Sequence, residues 1–482
     1  MIPQVSPPDV QPRTPAPGSG ETAAFPRLCL LVAILFSAIP LMSSLWLDET
    51  ATFWVVKDGI REVVSRSWQW SGQSALYYLT AWVFQPLARY LGLEVALRLP
   101  SLLFFLFGLG LLYSLGKYLM SPRAAMAGCL AFACMPAVSF SAIDARPYAL
   151  GLALVVASML TFLMWLDTGE RRFAVLYILS TALVVYCHYL MGVALLAQLV
   201  YGIRQIRKLI LPWSITAALC LPLASQLLRF YHTRGSHSIG DQTNITAFFV
   251  GVFTPVLAAS MVAAAMTARG KRSEPNRIPW PFLLSWFLLP PGLLLAISLL
   301  TDTRLFLTRY YLSCAPAAAL IAGYAISRLP GAIQKAVCAA LTLWLGIAVW
   351  QSGWTHGGQN WRGAMAAVAS RASESDVILI ACNFVEGSGK NLNDPSLHDV
   401  LFAPQLAYPL KSFQRLPYSF DETAVPAGLS AAPHVFLVTS VSTLDSARAT
   451  LRYQRFLETR LPGYRAGPIG NFGSVSAVEF AK

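Results

Sequence analysis

An all-α polytopic membrane protein closed by a small C-terminal α/β domain is the fold class this sequence predicts, and three observations predict it. Hydrophobic residues make up 56% of the chain and charged residues only 12%, with a mean hydropathy of +0.55, a balance outside the range of water-soluble domains. Apolar runs of bilayer-crossing length recur as far as residue 350. From residue 352 the composition turns to a mixed soluble type, with β-rich runs at 376–381 and 434–439 and helical patterns after Trp361 and Thr443.

Taken in order, residues 1–26 are rich in Pro and polar residues and lack both a basic n-region and an early apolar run, so they read as a disordered cytoplasmic tail rather than a cleaved signal. Membrane-spanning helices are expected at 28–46, 98–117, 123–141, 147–166, 173–187, 189–203, 209–228, 248–268, 279–301, 310–327 and 331–350, about eleven spans in a domain running over 27–351. The stretch 74–93 is broken by Gln85-Pro86 and followed by Arg89, leaving about ten clean residues where about twenty are needed. It reads as an interfacial or re-entrant helix in the first outer loop. Its Tyr77, Tyr78, Trp82 and Phe84 would give an aromatic surface at the membrane boundary.

The net charge of +13 sits in short connectors between apolar runs, a distribution that points to topology and lipid headgroups and away from nucleic acid. With the N-terminus inside, Lys117 with Arg123, Arg171 with Arg172, Arg204 with Arg207 and Lys208, Arg269 to Arg277, and Arg328 with Lys335 fall on the cytoplasmic side. Asp48, Glu49, Asp144, Arg146, His188, Tyr189, the segments 231–246 and 302–309 and the C-terminal domain at 352–482 then share the opposite face. The eight cysteines form no CxxC pair and no metal-ligand spacing, which suits packing. Internal repeats and paired interrupted helices, frequent in transporters, are not apparent.

Trp46-Leu47-Asp48-Glu49 sets two adjacent carboxylates just past the first span. Asp48 is there either as the cap of a surface helix or as a general base, and one carboxylate can be both. Ile143-Asp144-Ala145-Arg146-Pro147-Tyr148 joins the third span to the fourth; Asp144 suits a cap of the following helix, Pro147 its first turn, and Asp144 with Arg146 either a local ion pair or part of a site. His188-Tyr189 lies between two apolar runs with almost no loop, as a packing histidine or a catalytic one. Arg304, Arg309 and Tyr310 precede the tenth span, where arginines bind phosphate or snorkel to headgroups. Asp48, Glu49 and Asp144 offer hard oxygen ligands to a divalent metal, but no dedicated metal motif accompanies them and no cofactor is expected.

The order Trp-x-Asp-Glu at 46–49, Leu-Tyr-Tyr-Leu at 76–79, Ala-Leu-Arg-Leu-Pro-Ser at 96–101, Ala-Arg-Pro-Tyr-Ala-Leu at 145–150, His-Tyr at 188–189 and Arg-Tyr-Tyr-Leu at 309–312 resembles glycosyltransferase family 39 of the GT-C superfamily. Protein O-mannosyltransferases and the lipid A aminoarabinose transferase are relatives of that group. The resemblance covers roughly 28–350 and rests on motif order. It departs from the family where Gly72-Gln73-Ser74-Ala75 replaces the frequent His-Pro-Pro, and where Asp144 stands in place of the frequent Glu.

The resemblance implies an inverting transferase that takes a sugar from a polyprenyl-monophosphate carrier to a lipid, glycan or protein acceptor at the outer face of the bacterial inner membrane. Carried over residue by residue, it makes Asp48 the base, Glu49 its partner, and Asp144 with Arg146 part of the catalytic cleft. Arg309 would lie near the carrier phosphate with Arg304 as a second candidate. Tyr148, His188, Tyr189 and Tyr310 complete the expected substrate and carrier set. The alternative is a transporter or flippase for lipid-linked glycan, which would string ionisable groups through the bilayer interior.

Overall fold

The structure is a computed structural model that describes residues 21–69, 75–232, 278–301, 305–382, 399–410, 414–415, 429–441 and 444–482. The expected span at 248–268, Arg304, and all but the end of the expected tail lie outside them; that end is helical, because the first helix already begins at Glu21.

Among the described residues, seven helical runs are long and apolar enough to cross a membrane: Ala24–Met42, Leu93–Leu119, Tyr148–Thr168, Tyr189–Leu228, Trp280–Leu300, Thr308–Ser327 and Gly331–Gln351. The pair Pro122–Ala133 and Pro136–Ile143 makes an eighth if counted as one broken span. The chain is a multi-pass membrane protein. Tyr189–Leu228, at 40 residues, would reach about 60 Å if straight, twice a hydrocarbon core of about 30 Å. It doubles back instead: the Tyr189 hydroxyl donates to Gln226 Oε1 near its other end, and Ile206–Cys220 packs on Arg171–Cys187. The segments expected at 189–203 and 209–228 both fall within this one folded-back run.

Two expectations need correction. The run at 123–141 is not straight but bends by 74°. Pro136 opens the second helix and keeps Met135 extended (φ −69°, ψ 124°), because a residue before proline is pushed out of the helical region. The stretch 74–93 forms the short helices Ala75–Phe84 and Ala88–Leu91 around a 3-10 turn at Gln85–Leu87, too short to span, but two of the four aromatic residues expected at the boundary do not face lipid, while Trp82 and Phe84 stay half-buried. Tyr77 and Tyr78 are fully buried, and the Tyr77 hydroxyl meets Ser101 Oγ at 2.9 Å.

Small residues let the central helices approach closely, which suits a bundle without a hydrophobic driving force in lipid. A Cβ on Gly323 would meet the backbone nitrogen of Gly128 at 2.3 Å and the carbonyl oxygen of Ala124 at 2.5 Å. Around this contact successive passes alternate in direction, and the ends that carry Asp48, Arg146, His188 and Arg309 meet at one end of the bundle.

The C-terminal domain holds a five-stranded sheet in the order β2-β1-β3-β5-β4, from β1 (Val377–Ala381), β2 (Gln414–Arg415), β3 (His434–Ser440), β4 (Arg465–Phe472) and β5 (Val475–Ala481). β1 runs parallel to β2 and β3, while β3, β5 and β4 pair antiparallel. β1 and β3 are the apolar runs expected from sequence; the β4–β5 hairpin was not expected, because Gly467, Pro468 and Gly470 dilute its alternation. Side chains alternate across the strands. Leu379, Val435 and Leu437 pack under Tyr453 and Leu457 of the Leu444–Arg460 helix. Ile378, Ile380, Phe436 and Val438 face the Trp361–Ala369 helix and share one core with Leu45, Leu47 and Trp54 beside the bundle. The domain is therefore fused through its interior to the loop that follows the first span.

Gly323→Val forces the Gly128 contact apart and is expected to cost about 1–3 kcal/mol by overpacking, read as a lowered unfolding temperature of the detergent-solubilised protein. An unchanged value would show that the two helices do not pack this closely.

Candidate active site

The site is built on the short helix Leu47–Val56. Its N-cap is Trp46, in extended conformation, so the expected capping role for Asp48 is not the one observed. Glu49, at the third helical position, turns its carboxylate back to the Trp46 amide (3.1 Å), the carboxylate half of a capping box. Successive residues on a helix point about 100° apart, so the two carboxylates have different surroundings. Glu49 is fully buried, whereas 22% of the Asp48 side chain is exposed.

Glu49 pairs side-on with Arg98, Nε to Oε1 at 2.8 Å and Nη2 to Oε2 at 2.5 Å. The Ala145 amide also donates to Oε1 (3.0 Å). Arg98 directs Nη1 to the carbonyls of Pro40, Leu41 and Ser43 and Nη2 to that of Ser44. Burial by itself would raise the Glu49 pKa, but the Arg98 guanidinium, with His356 behind it, holds it below the usual carboxylate range. Both Glu49 oxygens are thus engaged.

Asp144 ends the Pro136–Ile143 helix and does not cap the following one, whose N-cap is Pro147. No ion pair joins Asp144 to Arg146 among the described residues. Asp144 Oδ1 instead accepts from Trp46 Nε1 at 3.0 Å and lies 3.4 Å from His356 Nε2, while buried Oδ2 has no hydrogen-bond partner among them. Complete burial pushes its pKa up, and the hydrogen bond from His356 offsets only part of the rise.

Arg146 and Arg309 both reach Asp48 Oδ2, with Nη2 at 3.8 Å and Nη1 at 3.4 Å. These contacts are longer than a tight charge-assisted hydrogen bond. The Nε atoms of both arginines are buried without a partner among the described residues, as is His188 Nδ1. Arg309 also lies over the Tyr310 ring (5.2 Å). The His188 ring sits 5.7 Å from that of Tyr148 and 5.8 Å from that of Tyr310. Burial, with Arg146 and Arg309 adding to it, pushes the His188 pKa down to about 3, so the imidazole is neutral at physiological pH. Tyr189 hydrogen-bonds to Gln226, which in turn donates to the Ser67 carbonyl at 2.9 Å.

Asp48, Arg146, Tyr148, His188, Arg309 and Tyr310 therefore form one cluster of contacts, Glu49 and Asp144 are held by Arg98, Trp46 and His356 beside it, Tyr189 bonds to Gln226 instead, and Arg304 lies outside the described residues. Sequence reasoning did not assign Arg98, His356, Gln359 or Tyr408. Arg98 carried a usable signal, a guanidinium at the edge of an apolar span. His356 carried none, being 212 residues from Asp144.

Glu49, Asp144 and His356 bring donor atoms within 4.8 Å of one another, the spacing of a metal site. The set does not fit one well. Glu49 already receives two N–H groups of Arg98 and two backbone amides, so a cation there would face a guanidinium across an occupied carboxylate.

No protein-family model and no curated protein matches the chain. The architecture is a bundle of membrane-crossing helices with polar motifs gathered at one end and a small sheet-containing domain packed on that end. Two crystal structures of ArnT from Cupriavidus metallidurans, one bound to undecaprenyl phosphate and one in the apo state, align with 96% of this chain and 98% of their own. Their TM-scores are 0.59 and 0.58 at 13% sequence identity. The archaeal oligosaccharyltransferase AglB from Archaeoglobus fulgidus, in complex with an inhibitory peptide and a dolichol-phosphate, aligns with 94% of this chain and 74% of its own at a TM-score of 0.49 and 12% identity. The protein shares the fold of ArnT along nearly its whole length, its C-terminal domain included.

Arg98→Met strands the buried Glu49 carboxylate and is expected to cost about 3–5 kcal/mol, measured by thermal unfolding in detergent. Combining it with Glu49→Met should recover part of that loss, and a double variant as unstable as the single one would contradict the pairing.

Proposed function

We propose that this chain is an inverting glycosyltransferase that moves a sugar from a polyprenyl-monophosphate carrier to an acceptor hydroxyl at the outer face of the plasma membrane. One observation carries the reading: Asp48, partly open to solvent, stands against two arginines, Arg146 and Arg309, each keeping a buried N–H without a partner among the described residues. A base beside unspent cationic donors is what transfer from a phosphate carrier requires. The shared fold supports the reading, since ArnT is a protein captured with undecaprenyl phosphate.

In the proposed reaction the acceptor hydroxyl gives its proton to Asp48 while its oxygen attacks the anomeric carbon. The bond from that carbon to the phosphate oxygen breaks, and its electron pair leaves on the polyprenyl phosphate. Arg146 and Arg309 face the charge that grows on that phosphate, so the leaving group needs cationic stabilisation more than a general acid. A single displacement inverts the anomeric centre. The rings of Tyr148, Tyr310 and neutral His188, packed beside the arginines, would exclude water from the reacting groups. Glu49 and Asp144 act behind the reacting atoms by holding the Trp46–Asp48 backbone and the turn before Arg146. No cofactor enters this scheme, and the basic connectors support a cytoplasmic N-terminus in a bacterial inner-membrane protein.

A transporter of lipid-linked glycan would carry ionisable groups through the interior of the bundle. Among the described residues the charged side chains of the spanning helices, such as Glu94, Arg98, Lys117, Asp167, Arg309 and Lys335, stand toward helix ends.

Asp48→Asn is expected to lower transfer from a radiolabelled polyprenyl-phosphate sugar about 10²- to 10⁴-fold, while Arg146→Gln and Arg309→Gln raise KM for the donor; transfer that survives in Asp48→Asn would remove Asp48 from the mechanism. Because His188 is already neutral, His188→Gln should leave the pH dependence between about pH 5 and 8 unchanged. A limb of the pH–rate profile lost in that variant would show that the imidazole titrates during turnover.

A further inference from the structure

The helix that carries Asp48 is ten residues long and has no side-chain cap from Trp46, its N-cap residue. Two backbone donors directly before Asp48 are satisfied by side chains from the C-terminal domain. The Leu47 amide donates to Gln359 Oε1 at 2.8 Å, and the Leu45 amide donates to the Tyr408 hydroxyl at 2.9 Å. Both acceptors are themselves held: Gln359 Oε1 also accepts from Trp361 Nε1 (2.9 Å), and the Tyr408 hydroxyl donates to Glu94 Oε1 (2.8 Å). Arg362 adds its backbone amide to Ser44 Oγ (3.1 Å) and its guanidinium to Glu94 (2.9 Å).

The segment carrying Gln359 is shaped for this contact. Gly357 has φ +68°, and a Cβ there would lie 2.5 Å from Cβ and Cγ of Trp46, so a glycine is needed on both counts. The His356 ring stacks on Phe140 at 4.0 Å and places Nε2 3.4 Å from Asp144 Oδ1, on the carboxylate that also holds the Trp46 indole. Behind the segment, Gln359 bridges to Gly473, the Asn360 amide donates to the Phe472 carbonyl and the Ser474 amide to the Gly358 carbonyl, which fastens it to the β4–β5 hairpin. Trp46 is thereby closed in by the chain that leaves the last span.

We infer that the C-terminal domain is a working part of the site, with Gln359 and Tyr408 acting as positioning residues that clamp the backbone at 45–47 and so aim Asp48 between Arg146 and Arg309. The inference rests on the transferase reading for its catalytic consequence, but the clamp itself is observable without it. Arg98 and Glu49 fix the same turn from the bundle side; the domain fixes it from the opposite side. Arg146 and Arg309 lie on other elements, so loss of the clamp should misplace the base and spare the donor site.

The test compares Gln359→Met, Gln359→Glu and Tyr408→Phe in the full-length chain in nanodiscs. Gln359→Met removes the acceptor oxygen, Gln359→Glu keeps one, and Tyr408→Phe removes only the hydroxyl. Hydrogen–deuterium exchange at amides 45–49 should quicken about tenfold in Gln359→Met and Tyr408→Phe, as expected for loss of one hydrogen bond, with the 93–119 helix unchanged and Gln359→Glu close to wild type. In turnover, kcat should fall by a similar factor in Gln359→Met at unchanged KM for the polyprenyl-phosphate sugar, and Gln359→Glu should restore it. Wild-type exchange in both Gln359→Met and Tyr408→Phe overturns the clamp, as does equal impairment of the two Gln359 variants. If Gln359→Met unfolds the domain, Tyr408→Phe decides alone. A wild type that transfers no sugar overturns the transferase reading, and the exchange comparison still decides the clamp.

Discussion

The buried pair between Arg98 and Glu49 is the interaction on which the rest of the site depends. A guanidinium and a carboxylate taken from water into a protein interior each lose several kcal/mol of solvation, which their attraction repays only when the remaining donors are also satisfied. Arg98 meets that condition: its Nε and Nη2 hold Glu49, and Nη1 and Nη2 gather carbonyls from Pro40 to Ser44. The backbone between the first span and the Leu47–Val56 helix is therefore wound around one planar cation. A lysine could not reproduce this, because its single ammonium lacks the fork that reaches a carboxylate and several carbonyls at once.

That winding separates the fates of two adjacent acids. Once Glu49 is drawn inward, helix geometry turns Asp48 to another side, where its close cationic neighbours among the described residues are the looser contacts of Arg146 and Arg309. The contrast in length is informative. The Glu49 pair is short and buried, as a structural brace should be; the Asp48 contacts are long and half-open, so an incoming anion can take the arginines without breaking the brace. Rigidity and availability are thus assigned to neighbouring residues by the same backbone.

Much of the bundle was legible because span length and hydropathy are properties of contiguous sequence. The ends of helices were legible for the same reason, and Asp48, Arg146, His188, Arg309 and Tyr310 stand out as polar groups at the edges of apolar runs. What the sequence hid depends on tertiary placement. Tyr77 and Tyr78 read as interfacial aromatics, yet the fold turns them inward onto Ser101 and the site. The bend before Pro136 required knowing that the proline would fall at a helix start rather than end a span. The contacts of His356 with Asp144 and of Gln359 with the first loop join residues more than 200 apart, beyond any periodicity.

The C-terminal domain shows why such distant contacts matter for a loop between membrane spans. A short helix at the end of a bundle has apolar neighbours on one side only, and its first-turn amides face outward with no intrahelical acceptor. Water can satisfy those amides, but water does not fix their direction. Side chains anchored in a second folded unit do, and the shared core of Leu45, Leu47 and Trp54 with Phe436 and Val438 gives that unit a fixed place against the loop. The proposed transfer would require the Asp48 carboxylate to be held to within a fraction of an ångström, a demand that a merely connecting loop does not face. The turn before Asp48 is held from two sides, by a guanidinium of the Leu93–Leu119 helix below it and by the side-chain amide and hydroxyl of Gln359 and Tyr408 above it.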